Sequence, residues 1–154
     1  IKNGDIEIID LFVRANFNIH PTDDNGTPPL HIALKMGYVI IAKILLNAGV
    51  DVNEKDKLGL TPLMLACGKP TFGYREIAET LIKKGAHINV RDTLGYTPLL
   101  LALSGGTIDI AELLINKGAD VSARTRKGDT PLALAHKAQS TEVIALLISK
   151  GAKS

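Results

Sequence analysis

Tryptophan is absent from this sequence, and aromatic residues make up only 4% of its 154 positions. A core with so few rings must be filled by Leu, Ile, Val and Ala, the side chains of closely packed helices. Cysteine is nearly absent as well. Cys67 stands alone, which rules out an intramolecular disulfide and a zinc cluster of several thiolates. A lone thiol fits a reducing compartment, so an intracellular, cytoplasmic location is expected. No apolar run reaches the roughly 20 residues that cross a bilayer, so no membrane insertion is expected. The net charge is only +2, too little to define a polyanionic partner.

Apolar residues are plentiful at 45%, which excludes a disordered chain. Charge is unevenly spread. Residues 1–24 carry Asp5, Glu7, Asp10, Asp23 and Asp24 against Lys2 and Arg14. Residues 124–154 carry Arg124, Arg126, Lys127, Lys137, Lys150 and Lys153 against Asp129 and Glu142. The two ends therefore differ in sign, and a partner could read that difference.

The strongest signal is an internal period. Pro28-Pro29-Leu30-His31 recurs as Thr61-Pro62-Leu63-Met64, Thr97-Pro98-Leu99-Leu100 and Thr130-Pro131-Leu132-Ala133, at steps of 33, 36 and 33. A second marker, an apolar pair followed by glycine, closes each unit at Gly49, Gly85, Gly118 and Gly151, at steps of 36, 33 and 33. The two series place one three-residue insertion near 67–73. Gly4 and Asn16 fit the same frame, so the reading is a partial repeat over 1–22 and four repeats over about 23–55, 56–91, 92–124 and 125–154, all in one domain spanning 1–154.

Each unit has a physical reading. Proline fits the first turn of a helix, where a missing N–H costs nothing, and Thr61, Thr97 and Thr130 are good N-caps. Ala33, Ala66, Ala102 and Ala135 let a neighbouring helix approach. Gly37 and Gly106 permit a tight turn. Second helices are expected over roughly 39–47, 74–84, 108–117 and 141–150 from their apolar spacing. The connectors, such as 51–59, should form extended fingers with a turn.

With Gly26-Thr27-Pro28-Pro29-Leu30-His31-Ile32-Ala33 and Gly118-Ala119-Asp120-Val121 in register, the chain resembles the ankyrin-repeat family, whose unit carries T-P-L-H-x-A. The resemblance covers essentially the whole chain. It implies an all-α solenoid of stacked helix-turn-helix units with β-hairpin-like fingers, whose function is to bind another protein rather than to catalyse.

The chemically capable side chains point the same way. His20, His31, His87 and His136 make no metal-binding pair, and nothing calls for a cofactor. His31 is expected to hydrogen-bond within its turn, and His136 to lie at the surface or in a groove. Cys67 reads as a buried small hydrophobe. Gly68-Lys69-Pro70-Thr71 lacks the spacing of a phosphate loop. Asn25-Gly26-Thr27 reads as a turn rather than a glycosylation site. The basic cluster Arg124, Arg126, Lys127 has no interleaved aromatics, so an acidic protein is the expected partner and not a nucleic acid.

The resemblance also implies where a partner sits: on finger tips and the concave side of the first helices. Those positions are Asp24 and Asn25 in the first finger, Lys57, Leu58 and Leu60 in the second, Thr93, Leu94 and Tyr96 in the third, and Arg126, Lys127 and Asp129 in the fourth. Lys35, Met36 and Lys137 join them from the helices. Leu58, Leu60, Leu94 and Tyr96 form an apolar stripe. Tyr96 and Leu60 are favoured for the interface. Leu58 and Leu94 either contribute to it or fold back as minor cores. The insertion, with Phe72 and Tyr74, is either an extra contact loop or a tolerated change of length.

Other readings stand beside this one. Leu45 followed by Asp51-Val52-Asn53 matches, through the resemblance, a pattern that asparaginyl hydroxylases accept, making Asn53 a candidate modification site. The chain could also be an anchoring segment of a larger enzyme or channel, since it begins at Ile1 inside a repeat. At the ends, either further repeats flank the segment or Thr141, Glu142, Ser149 and Lys150 suffice to cap it.

Overall fold

The computed structural model describes residues 27–153. The partial repeat and Asp24 and Asn25 lie outside them. The helices run α1 (Pro29–Met36), α2 (Val39–Asn47), α3 (Pro62–Cys67), α4 (Tyr74–Lys83), α5 (Pro98–Gly105), α6 (Ile108–Asn116), α7 (Pro131–Lys137) and α8 (Thr141–Ser149). No strand occurs among the described residues.

The local rules explain the boundaries. Thr61, Thr97 and Thr130 cap α3, α5 and α7, their hydroxyls accepting the N–H groups of Met64, Leu100 and Ala133 at 3.4, 3.3 and 3.1 Å. Proline occupies the first turn of each of these helices and of α1. At the end of α1, Gly37 turns left-handed (φ 78°), and Gly106 does the same after α5 (φ 74°). The equivalent position after α7 is Gln139, which adopts φ 56° with a side chain attached.

Each helix packs against its hairpin mate and against its counterpart in the next repeat, so α1, α3, α5 and α7 form one layer and α2, α4, α6 and α8 the other. Between the layers lies a continuous aliphatic core including Leu34, Leu63, Ile77, Leu99, Leu114 and Leu147. Stability is thus a chain of neighbour-to-neighbour contacts.

Polar side-chain staples cross the first two junctions. Tyr74 is buried, and its hydroxyl donates to the Leu34 carbonyl of the preceding repeat. Thr107, at the equivalent place one repeat on, donates to the Cys67 carbonyl at 2.6 Å. Tyr74 is therefore core and not part of a contact loop. Phe72, its neighbour in the long α3–α4 connection, is 99% exposed.

His31 forms a staple of another kind. Its Nε2–H donates to the Leu60 carbonyl at 2.9 Å, in the next finger rather than within its own turn. The ring is fully buried, and Nδ1 has no hydrogen-bond partner. Burial holds His31 below its ordinary value of 6.5, with the Leu60 bond and nearby Asp56 opposing only in part. As pH falls, the unfolded chain takes up this proton first. The contribution of His31 to stability is complete above about 6.5 and is lost as pH drops through its lowered native value. The melting temperature should therefore fall between about pH 7.5 and about pH 5, less steeply in His31→Asn. Parallel slopes for the two proteins would show that other groups set the acid response.

Candidate partner-binding surface

The fingers are built by side chains that take over backbone groups. In the second finger the Asp56 carboxylate accepts the Leu58 and Leu60 N–H groups at 2.9 and 3.0 Å. The backbone closes the turn with Asp56 N–H to the Leu60 carbonyl and Gly59 N–H to the Asp56 carbonyl. Asp92 repeats this for Leu94 and Tyr96 in the third finger. Thr125 replaces the acid in the fourth, its hydroxyl accepting from Lys127 and Asp129. Successive fingers join edge to edge: Thr93 N–H reaches the Leu58 carbonyl at 3.2 Å, and Arg126 N–H the Leu94 carbonyl at 2.9 Å. Gly95 lets this happen, because a side chain there would meet the backbone of Thr125 and Arg126. The fingers are hairpin-like in bonding without forming strands.

Asn53 ties the finger base to the next repeat. Its amide donates to the Gly85 carbonyl at 3.0 Å and its Oδ1 accepts the His87 N–H at 2.8 Å. Asn89 does the same with Gly118 and Asp120. The candidate modification site thus also has a structural duty.

On the first helices, residues three and four apart share a face. Ile32, Lys35 and Met36 form the open face of α1; its opposite side, with Leu30, Ala33 and Leu34, is buried. Lys35 bonds Asp56 of the next finger at 2.8 Å, so the fingers lie along this same open face. That pairing decides the state of Asp56. Burial alone would raise its pKa, but Lys35 and the Leu60 and Leu58 N–H donors outweigh it and hold the carboxyl below its ordinary 3.8.

Repeat equivalence carries the open face along the stack. Ile32 corresponds to Leu65, Leu101 and Leu134, and all four are apolar and half-buried. This row is missing from the sequence-derived set of contact residues. Its signal was available: an aliphatic residue at the same place in every unit, beside the buried set. Between α5 and α7 the row opens into a groove of about 270 Å³ lined by Leu103, Ser104, Gly106, Leu134, Lys137 and Ala138.

The described residues of the sequence-derived contact set differ in exposure. Leu58 and Leu94 are each 59% exposed and do not fold back as minor cores. Leu60 and Tyr96 are half-buried. Met36, Lys57, Thr93, Arg126, Lys127 and Lys137 are exposed, and Asp129 is half-buried. His136 is exposed on α7.

Cys67 is fully buried, and burial pushes its thiol far up, away from the thiolate a nucleophile needs. Among the described residues, no three of His, Cys, Asp and Glu gather as a metal site. Nor is any described helix long and apolar enough to cross a membrane.

The fold defines a helical-repeat solenoid with one open, partly apolar face. The family model for ankyrin repeats (3 copies) matches residues 1–92 and 72–154, and the chain belongs to the ankyrin-repeat family. It is similar to protein phosphatase 1 regulatory subunit 27 of Mus musculus, 37% identical over 71 residues, 44% of each chain. It is also similar to the ankyrin repeat-containing protein P1E11.10 of Schizosaccharomyces pombe, 31% identical over 64 residues, 42% of this chain and 31% of that one. The potassium channel GORK of Arabidopsis thaliana is 32% identical over 63 residues, 41% of this chain and 8% of the channel. The aligned stretch thus spans less than half the length of each relative.

Proposed function

We propose that this chain is a non-catalytic, intracellular protein-binding module that receives its partner along the open face of the first helices and the adjoining finger tips. Ankyrin repeats generally mediate protein–protein interaction, and one relative is by name a regulatory subunit. The observation that carries the reading is the pair Leu58 and Leu94. They occupy the same tip position in two consecutive fingers that are hydrogen-bonded to each other, and both are mostly exposed. Leucine held in water at a repeated position, next to a row of half-covered Leu side chains, is the arrangement expected of an interaction surface.

The pair also gives a clean test, since exposed substitutions away from structural features usually change stability by no more than about 0.5 kcal/mol. Leu58→Glu/Leu94→Glu should melt like the parent. In a pull-down from host-cell lysate, a protein retained by the parent should be lost by the double variant. Equal retention by two equally folded proteins would move the binding surface elsewhere. Leu60 and Tyr96 serve this test less well, because they are half-buried and their N–H groups are held by Asp56 and Asp92.

A further inference from the structure

We infer that the partner presents an acidic segment whose apolar side chains are spaced to match the Leu65, Leu101 and Leu134 row. The inference rests on the docking face proposed above and names the class of occupant.

Charge carries the first part. The acids of the described fingers are largely committed to the fold. Asp56 accepts two backbone N–H groups and pairs with Lys35, its side chain only 5% exposed. Asp92 accepts two more N–H groups. Asp129, half-buried, accepts from the Thr125 hydroxyl at 3.1 Å. Glu54, near the finger base, is also half-buried. The cations are not committed in this way. Lys57, Arg126 and Lys127 stand exposed on the fingers, and Lys137 stands exposed at the rim of the groove between α5 and α7.

On the second helices, Lys43 pairs with Glu76 at 2.7 Å and Arg75 with Glu79 at 3.3 Å, while Lys83, Lys84, Lys117 and Lys150 at the helix ends are also exposed. Among the described residues of the open face, exposed cations therefore stand beside the apolar row while the finger carboxylates are taken up by the fold. An acidic partner gains there both in steering and in avoided mispairing.

The row carries the second part. It has one aliphatic residue per first helix, and packed helices lie about 8–10 Å apart. A matching side chain therefore recurs every three residues or so in an extended segment, or about every seven residues along a helix. A polyanion without apolar groups would leave the row unfilled, which separates an acidic protein segment from a nucleic acid.

The test uses two synthetic Glu-rich peptides, one with Leu at every third position and one with Leu at every seventh, each with a Lys-for-Glu counterpart. Each is titrated into the 15N-labelled chain. Saturable amide shifts at Leu101, Leu134 and Lys127 are expected with at least one acidic peptide and with neither basic one. Affinity should fall steeply from about 0.01 M to about 1 M salt, as the screening length shrinks from roughly 30 Å to roughly 3 Å. Arg126→Glu/Lys127→Glu/Lys137→Glu alters only exposed side chains and should weaken the acidic peptide about tenfold or more. Equal binding of basic peptides, or no saturable shift with either acidic one, overturns the inference. So does displacement of the acidic peptide by single-stranded RNA that occupies the same amides, which would make the surface a nucleic-acid site. If the acidic peptides fail while Leu58→Glu/Leu94→Glu still loses its lysate partner, the docking face stands and only the class of occupant is refuted.

Discussion

Gly105→Ala is expected to destabilise the protein by about 2 kcal/mol, the middle of the range for forcing extra volume into a packed site. The usual expectation has the opposite sign. Within a helix, replacing Gly by Ala gains up to about 1 kcal/mol from propensity and chain entropy. Gly105 ends α5, and a Cβ there would come 2.5 Å from the Gly68 carbonyl oxygen and 2.8 Å from its carbon. The obstacle is backbone, so no rotamer change relieves it. α5 and α3 must separate, and their separation disturbs the junction that Thr107 staples to Cys67. Overpacking outweighs propensity, and Tm should drop by roughly 4–8 °C for a chain of this size. Ser104→Ala, next door on an exposed site, should leave Tm nearly unchanged. A Gly105→Ala protein as stable as the parent in urea and heat would show that the two helices are not held this close in solution.

The second large effect comes from a comparison inside one molecule. Ile115 and Ile148 occupy the same place in consecutive repeats, each three residues before the closing glycine. Ile115 is 2% exposed and Ile148 is 57% exposed. In this 154-residue chain, Ile115→Ala should cost about 2–5 kcal/mol through lost burial and the cavity left behind. Ile148→Ala should cost no more than about 0.5 kcal/mol, as at other exposed positions. The contrast isolates the contribution of a stacked neighbour, because residue type, helix position and substitution are the same. Urea unfolding with matched slopes measures it. Similar losses at the two sites would mean that Ile148 is covered in solution.

The two effects trace what was legible. The helix ends were readable to within a residue or so, since capping Thr, first-turn Pro and closing Gly are local chemistry. Ala66, Ala102 and Ala135, chosen as close-approach residues, are fully buried. Cys67 was readable as core for the same reason. Relations between repeats were harder. The sequence marks His31 as a motif residue, but its partner, the Leu60 carbonyl, lies 29 positions away in the following finger. Tyr74 looked like part of an insertion loop, yet its ring enters the core and its hydroxyl reaches back to the Leu34 carbonyl, 40 residues earlier.

The contact surface shows the same division. An apolar stripe on the two middle fingers was legible, since Leu and Tyr at finger positions are out of place beside polar turns. Which of its members faces water was not. Leu58 and Leu94 sit at the bonded tips and remain exposed; Leu60 and Tyr96 follow the turn and are half-covered. The row from Ile32 to Leu134 went unread because a half-buried Leu and a fully buried Leu look alike in one unit. The sequence by itself determined the repeat, its helices, its caps and its aliphatic core, because those depend on period and on neighbours within about four residues. Only the tertiary structure decided which carbonyl receives His31, how close Gly105 comes to Gly68 and which leucines stay in water. Those outcomes depend on how one repeat rests on the next, a relation between residues some 30 or more positions apart that no single unit encodes.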